Sequence, residues 1–196
     1  IDHSKSVRQG VKKSLMVVDM PYNTYKSKSQ ALKNAKKIVK ECKCDALKLE
    51  GAFKIKSIVK HLIKNKIPIM GHLGILPQTT KNNFKIKGKT IVEKRKLLKE
   101  AKMLEKFGVF AIVLECVTSS AAKLLTRETK VPTIGIGSSR YCDGQVLVTD
   151  DLLGLNETNF RFVKKYGNIR KEINKAVKRF KDDVLKEKFP TKKYSY

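Results

Sequence analysis

Short, nearly continuous apolar runs alternate along this chain with longer segments whose apolar residues recur at helical spacing. Leu15-Met16-Val17-Val18 closes on Asp19, and Ala46-Leu47-Lys48-Leu49 closes on Glu50. Ile67-Pro68-Ile69-Met70-Gly71 closes on His72, and Phe110-Ala111-Ile112-Val113-Leu114 closes on Glu115. Runs over 133–136 and 145–149 complete a set of six predicted strands. Between them, Ala31, Leu32, Ala35, Ile38 and Val39 fall on one face of a helix predicted over 29–42, with Ser27 or Ser29 as its cap. Ile55, Ile58, Val59 and Leu62 form such a stripe over 53–65, and Leu97, Leu98, Ala101 and Leu104 over 91–107. A shorter helix over 121–127 precedes Pro132. Residues 1–14 read as the last turns of a helix. Residues 160–166 and 169–187 read as two more helices, and the chain from Phe189 onward as an exposed, extended end.

A strand-then-helix order with no hairpin signal predicts an α/β fold with a parallel sheet, and its repetition predicts a TIM-type (β/α)8 barrel. Six strands are counted where a closed barrel has eight, so the expectation is a barrel lacking about its first two βα units, which would precede Ile1. Residues 1–196 are expected to form a single partial barrel domain carrying C-terminal helices. The polar segment 74–89 is long for a connector and is expected to act as a lid or substrate loop.

Composition changes this picture little. The formal charge of +26 raises the question of nucleic acid, but seven of the 44 basic residues are Arg and the remainder are Lys spread through nearly every helix. Base-reading proteins favour clustered Arg for its bidentate geometry, so no specific nucleic-acid partner is expected. No apolar run is long enough to span a bilayer, and the first fourteen residues carry no leader-like apolar stretch; no membrane partner and a cytoplasmic location are expected. Cys42, Cys44, Cys116 and Cys142 match neither zinc-knuckle spacing nor a disulfide framework, and are expected to be reduced thiols.

The strand-end residues carry the candidate chemistry. Singly, an Asp or Glu at a strand terminus is commonly a cap, and a lone His a structural imidazole. A parallel barrel, however, gathers all its strand ends at one rim. Asp19 and Glu50, on neighbouring strands, offer hard oxygen ligands suited to Mg2+. Lys48, two residues before Glu50, faces the same side of its strand and would pair with those carboxylates or grip an anionic substrate. Glu115, on a later strand, could serve as a general base.

The strings Asp19-Met20-Pro21-Tyr22, Lys48-Leu49-Glu50-Gly51, Gly71-His72-Leu73-Gly74-Ile75-Leu76-Pro77-Gln78, Leu114-Glu115-Cys116-Val117 and Gly135-Ile136-Gly137 through Asp143-Gly144-Gln145-Val146-Leu147-Val148 occur in this order. Together they resemble the ketopantoate hydroxymethyltransferase family over the whole chain. The resemblance implies a barrel of the phosphoenolpyruvate/pyruvate superfamily, assembled as a homo-oligomer, a decamer of two five-membered rings. It implies Mg2+ as cofactor, 5,10-methylenetetrahydrofolate as co-substrate and a small keto-acid, 3-methyl-2-oxobutanoate, as acceptor, giving 2-dehydropantoate on the route to pantothenate. In the matching positions Asp19 would bind metal and substrate, Glu50 would complete the metal site, Lys48 would hold the keto-acid, His72 would lie near it, and Glu115 would take the proton.

The folate is too large for a barrel interior and is expected over the rim, beneath the loop after Ile136 and the segment 74–89. A Gly-Asp-Ser string that the family carries at its second strand, bearing a metal ligand, is absent here and would precede Ile1. An inactive truncated homologue is therefore one alternative. A related Mg2+-dependent 2-oxoacid lyase and a Lys-rich nucleic-acid-binding module are the others.

Overall fold

The computed structural model describes residues 1–80, 85–157 and 160–196. The chain divides into two compact units, Ile1–Val146 and Leu147–Tyr196. The first holds the predicted parallel sheet. Six strands, β1 (Val17–Asp19), β2 (Ala46–Glu50), β3 (Ile69–Gly74), β4 (Ala111–Glu115), β5 (Thr133–Ile136) and β6 (Gly144–Gln145), stand side by side in chain order. Every neighbouring pair is parallel. The fold is thus an α/β half-barrel, a curled parallel sheet with helices returning between strands.

Alternation along the strands explains how the sheet divides core from site. Leu47 and Leu49 of β2, Ile69 and Leu73 of β3, and Ile112 and Leu114 of β4 belong to the apolar core. The helices α2 (Lys28–Cys42), α3 (Lys56–Lys64), α4 (Ile91–Phe107) and α5 (Ser119–Glu128) bring Ala31, Ala35 and Ile38, then Ile58 and Leu62, then Leu97 and Leu104, then Ala121 and Leu125 into the same core. Strand residues one position out of phase, Lys48, Glu50, His72 and Glu115, face the other side. Burial of the apolar side chains contributes roughly 25 cal/mol per Å2 of surface removed from water, so the core holds the polar face in place.

Local signals set the element ends. Ser27 caps α2 through the Gln30 amide. Thr90 and Glu93 form a capping box that starts α4, and Gly108 in the left-handed region ends it. A helix precedes the first strand, α1 (Asp2–Gly10); the reading of 1–14 as helix holds for that part, and residues 11–14 are not helical.

Four boundaries are corrected. The first strand starts at Val17, because Leu15 is exposed rather than packed. The third starts at Ile69, since Pro68 has no N–H for the ladder, and it runs past His72 to Gly74. The helix over 53–65 opens as a 3-10 turn, Phe53–Ile55, before α3. The strand over 145–149 is only Gly144–Gln145, because Val146 and Val148 are exposed and the chain turns helical at Thr149.

In the second unit, α6 (Thr149–Leu153) ends at Gly154 and α7 (Ile169–Leu185) starts at an Asn168 cap. Residues 160–166 are not a helix. The Tyr166 and Gly167 amides donate to the Leu152 carbonyl instead of to a preceding turn, which leaves the segment irregular. The apolar stripe of α7, Ile173, Val177, Phe180 and Val184, is exposed. The tail from Phe189 is exposed as expected, with one short 3-10 turn, Lys192–Tyr194.

Candidate active site

Parallel register brings the strand-end residues to one edge of the sheet. Asp19 stands opposite Lys48, Glu50 opposite His72, and Gly74 opposite Glu115. Gly74 has φ +100°, and a Cβ there would lie 2.1 Å from the Glu115 carbonyl, so only glycine lets β3 approach β4 at this point. The Ile75 amide then donates to that carbonyl at 2.9 Å, which fixes the backbone carrying Glu115.

The side chains form a connected row. Lys48 Nζ lies 3.0 Å from Asp19 Oδ2 and 3.2 Å from His72 Nδ1. His72 Nδ1 is also 3.9 Å from Glu50 Oε1, and His72 Nε2 is 3.2 Å from Glu115 Oε2. All five sequence-predicted site residues are therefore brought together.

An ammonium group can only donate, so Nδ1 of His72 accepts and the ring proton resides on Nε2; this tautomer follows from the hydrogen-bond partners. His72 is 1% exposed. Its Nε2 is close to Glu115 but out of line for a hydrogen bond, and it has no hydrogen-bond partner among the described residues. A buried N–H without a partner costs about 1–3 kcal/mol, so this one is poised to bond to an incoming acceptor.

Glu50 is buried, and desolvation pushes its carboxyl above the ordinary range, partly offset by the Gln78 amide and by the charge of Lys48. Gln78, which stands in the sequence string Gly71–Gln78 without a role assigned there, is a partner of Glu50. Its backbone N–H donates to Glu50 Oε2 at 3.0 Å, its side-chain amide donates to the Met20 carbonyl at 3.0 Å, and Tyr25 donates to its Oε1 at 2.9 Å. It thereby ties the loop after β3 to the loop after β1. Burial pushes the Tyr25 phenol up, with the Glu50 and Asp19 charges adding to that, against an offsetting backbone contact at Glu50.

Asp19 and Glu50 supply carboxylate oxygens of the kind Mg2+ takes, and Mg2+ commonly uses one or two carboxylates with water and substrate for the rest. The Asp19 side chain is 56% exposed and open to such a ligand, whereas Glu50 is committed on one oxygen to Gln78. No group of three or more His, Cys, Asp or Glu among the described residues is arranged to hold a metal ion. Asp19 and Glu50 are thus two carboxylates of the right type, with Asp19 already paired to Lys48 and no third ligand beside them among the described residues.

The segment 74–89 is anchored at both ends. Gln78 holds one end as above, while Lys87 bridges to Val117 and its amide donates to the Cys116 carbonyl. Residues 81–84, part of the expected lid, lie outside the described residues. A cavity of about 520 Å3 opens beside Glu50, walled by the loops after β1 and β2, by Leu76 and Thr79, and by α3 and α4. No residue of the loop after Ile136 lines it.

The sequence profile of the ketopantoate hydroxymethyltransferase family matches residues 1–192. A 3-methyl-2-oxobutanoate hydroxymethyltransferase from Pelagibacter ubique is 65% identical over 196 residues, covering 100% of this chain and 76% of that protein. Proteins of the same description from Pyrococcus abyssi and Kosmotoga olearia are 45% and 47% identical over 195 and 189 residues. Those matches cover 98% and 94% of this chain, and 69% and 70% of the relatives.

Proposed function

The chain belongs to the ketopantoate hydroxymethyltransferase family, and from that premise we propose that it moves a one-carbon unit from 5,10-methylenetetrahydrofolate to 3-methyl-2-oxobutanoate, giving 2-dehydropantoate for pantothenate synthesis. The observation that carries the reading is the unbroken row Asp19, Lys48, His72, Glu115 along one edge of the sheet. It combines a cation, a carboxylate base and an unpartnered N–H donor, as removal of a proton beside a ketone requires.

Glu115 takes the C3 proton of the keto-acid. Its side chain is 18% exposed, so the abstracted proton is shielded from bulk water while the enolate forms. Lys48 lies against the substrate's anionic end and offsets the charge that develops on the enolate oxygen. His72, its ring fixed by Lys48, offers Nε2–H to the same charge. The enolate carbon then bonds to the one-carbon unit as the bonds from that carbon to the folate nitrogens break. Water supplies the hydroxyl oxygen and the two hydrogens that restore tetrahydrofolate, and the proton taken from C3 ends on the new hydroxyl. Asp19 and Glu50 would hold Mg2+, whose chemistry there would be Lewis-acid polarisation of the keto oxygen.

On the same reading the six strands are part of a (β/α)8 barrel of the phosphoenolpyruvate/pyruvate superfamily, acting as a cytoplasmic homo-oligomer. No helix among the described residues is long and apolar enough to cross a membrane.

The test follows the C3 proton by NMR in D2O with Mg2+ and no folate, and then product formation once folate is added. The parent protein should exchange the proton, and Glu115→Gln should not. Exchange by that variant at the parent rate would remove Glu115 from its role.

A further inference from the structure

The 520 Å3 cavity beside Glu50 is not used by the row of residues that handles the keto-acid: Asp19, Lys48, His72 and Glu115 do not line it. Its size lies within the range of about 300–1,000 Å3 typical of sites for drug-sized ligands, far more than a small keto-acid fills. Glu50 belongs both to its wall and to the acid cluster, so a ligand seated there has its edge against the reacting centre.

Three features of the lining specify a ligand chemistry. Tyr22 and Phe53 are aromatic rings left 57% and 42% exposed at the cavity, unlike the core's apolar side chains. Glu100 of α4 is half-buried, yet it makes no hydrogen bond and no ion pair within 4.0 Å among the described residues. A desolvated carboxylate in that condition calls for N–H donors. Lys26 and Lys54, also on the wall, are likewise without an ion pair among the described residues, and they leave positive charge where the cavity meets solvent. Flat rings, a donor pair and an anionic tail are the complement of these features.

We propose that this cavity seats the folate co-substrate, with Glu100 accepting from the amino and amide N–H groups of the pterin, Tyr22 and Phe53 against its rings, and Lys26 and Lys54 meeting the glutamyl carboxylates. The proposal rests on the hydroxymethyltransferase reading and specifies where its second substrate docks. It places the folate over the ends of β1 and β2, beside Leu76 and Thr79 of the segment 74–89 as expected from sequence, but away from the loop after Ile136, which was also expected to cover it.

The experiment uses 5-formyltetrahydrofolate as a stable probe, titrated calorimetrically against the whole chain and its variants. Glu100→Gln replaces a charged acceptor by a neutral amide and should weaken binding about tenfold or more, as loss of a charge-assisted pair does. Lys54→Glu should weaken it further at low salt than at high salt. Keto-acid proton exchange, which needs no folate, should continue in both variants. Parent-like probe binding by both variants would overturn the proposal. Weakened probe binding in both variants, together with no keto-acid proton exchange by the parent, would sink the base assignment while supporting the cavity.

Discussion

The carboxyl ends of β1–β4 and the surroundings of β5–β6, from the start of β5 at Thr133 to Gln145, carry similar side chains and use them in opposite ways. Around β5 and β6, the Asp143 carboxylate accepts from the Thr133 amide at 2.8 Å and from its hydroxyl at 3.0 Å. The Gln145 amide donates to the Ser139 carbonyl at 2.8 Å, and Ser139 pairs with Ser119 at 3.0 Å. These polar groups are spent on neighbours, and the result is a latch. Around β1–β4, by contrast, His72 Nε2 is buried without a hydrogen bond among the described residues, Asp19 faces solvent, and burial pushes the Glu50 carboxyl above its ordinary value. Polar capacity left over in a buried setting costs stability and is useful when a ligand completes it. Residue type does not separate the two regions; satisfaction does.

Removing the base should break the contrast most sharply. Glu115→Gln should lower C3-proton exchange by about 100- to 10,000-fold, the usual contribution of a positioned base, with little change in melting temperature. Next comes Lys48→Met, which keeps the volume and removes the charge that links Asp19 to His72. Turnover should fall by about 100-fold. In 15N spectra, the His72 ring should report its proton on Nε2 in the parent and a mixture of ring forms in the variant. An unchanged His72 signature would show that Lys48 does not set the tautomer.

Much of this was legible in the chain. The helix over 91–107 is found where its stripe of Leu97, Ala101 and Leu104 put it. Asp19, Glu50, His72 and Glu115 were marked by their position at the ends of apolar runs, because a buried parallel strand must be apolar and its polar terminus is conspicuous, and Lys48 by sharing a strand face with Glu50. Gln78 was not legible in this way. It acts through a backbone N–H in a loop, and no periodicity reports where a loop amide will point. The strand over 145–149 failed for a related reason: Val146 and Val148 have the composition of a strand, but strand formation depends on a partner, and pairing ends at Gln145. The cavity was invisible too, since Tyr22, Phe53 and Glu100 are scattered over three elements and converge only through packing.

At the latch, the expected outcome is reversed. Asp143→Ala leaves the Thr133 amide of β5, whose residue is 1% exposed, without its acceptor. A loss of about 1–3 kcal/mol is expected, seen as a fall in melting temperature of about 2–8 °C, with exchange per folded molecule within about twofold of the parent. A large loss of exchange without a loss of stability would place Asp143 with the chemistry and erase the distinction between the two regions.

The smallest effect should come from Glu100, and its sign follows from burial. Desolvation raises the Glu100 carboxyl above its ordinary value, only partly offset by Lys96 one turn earlier. The folded protein therefore holds this proton more tightly than the unfolded chain does. Below the unfolded pKa both states are protonated and the site contributes nothing. As pH rises through the folded pKa the charged form must be kept in a half-buried wall, and stability is lost. Glu100→Gln should accordingly melt on the order of 1 °C higher than the parent at pH 7, with the difference vanishing near pH 4 in paired thermal scans. A group that weakens the empty protein yet strengthens folate binding belongs with the unsatisfied region around β1–β4, and the two measurements on this one variant, melting and titration, decide that membership together.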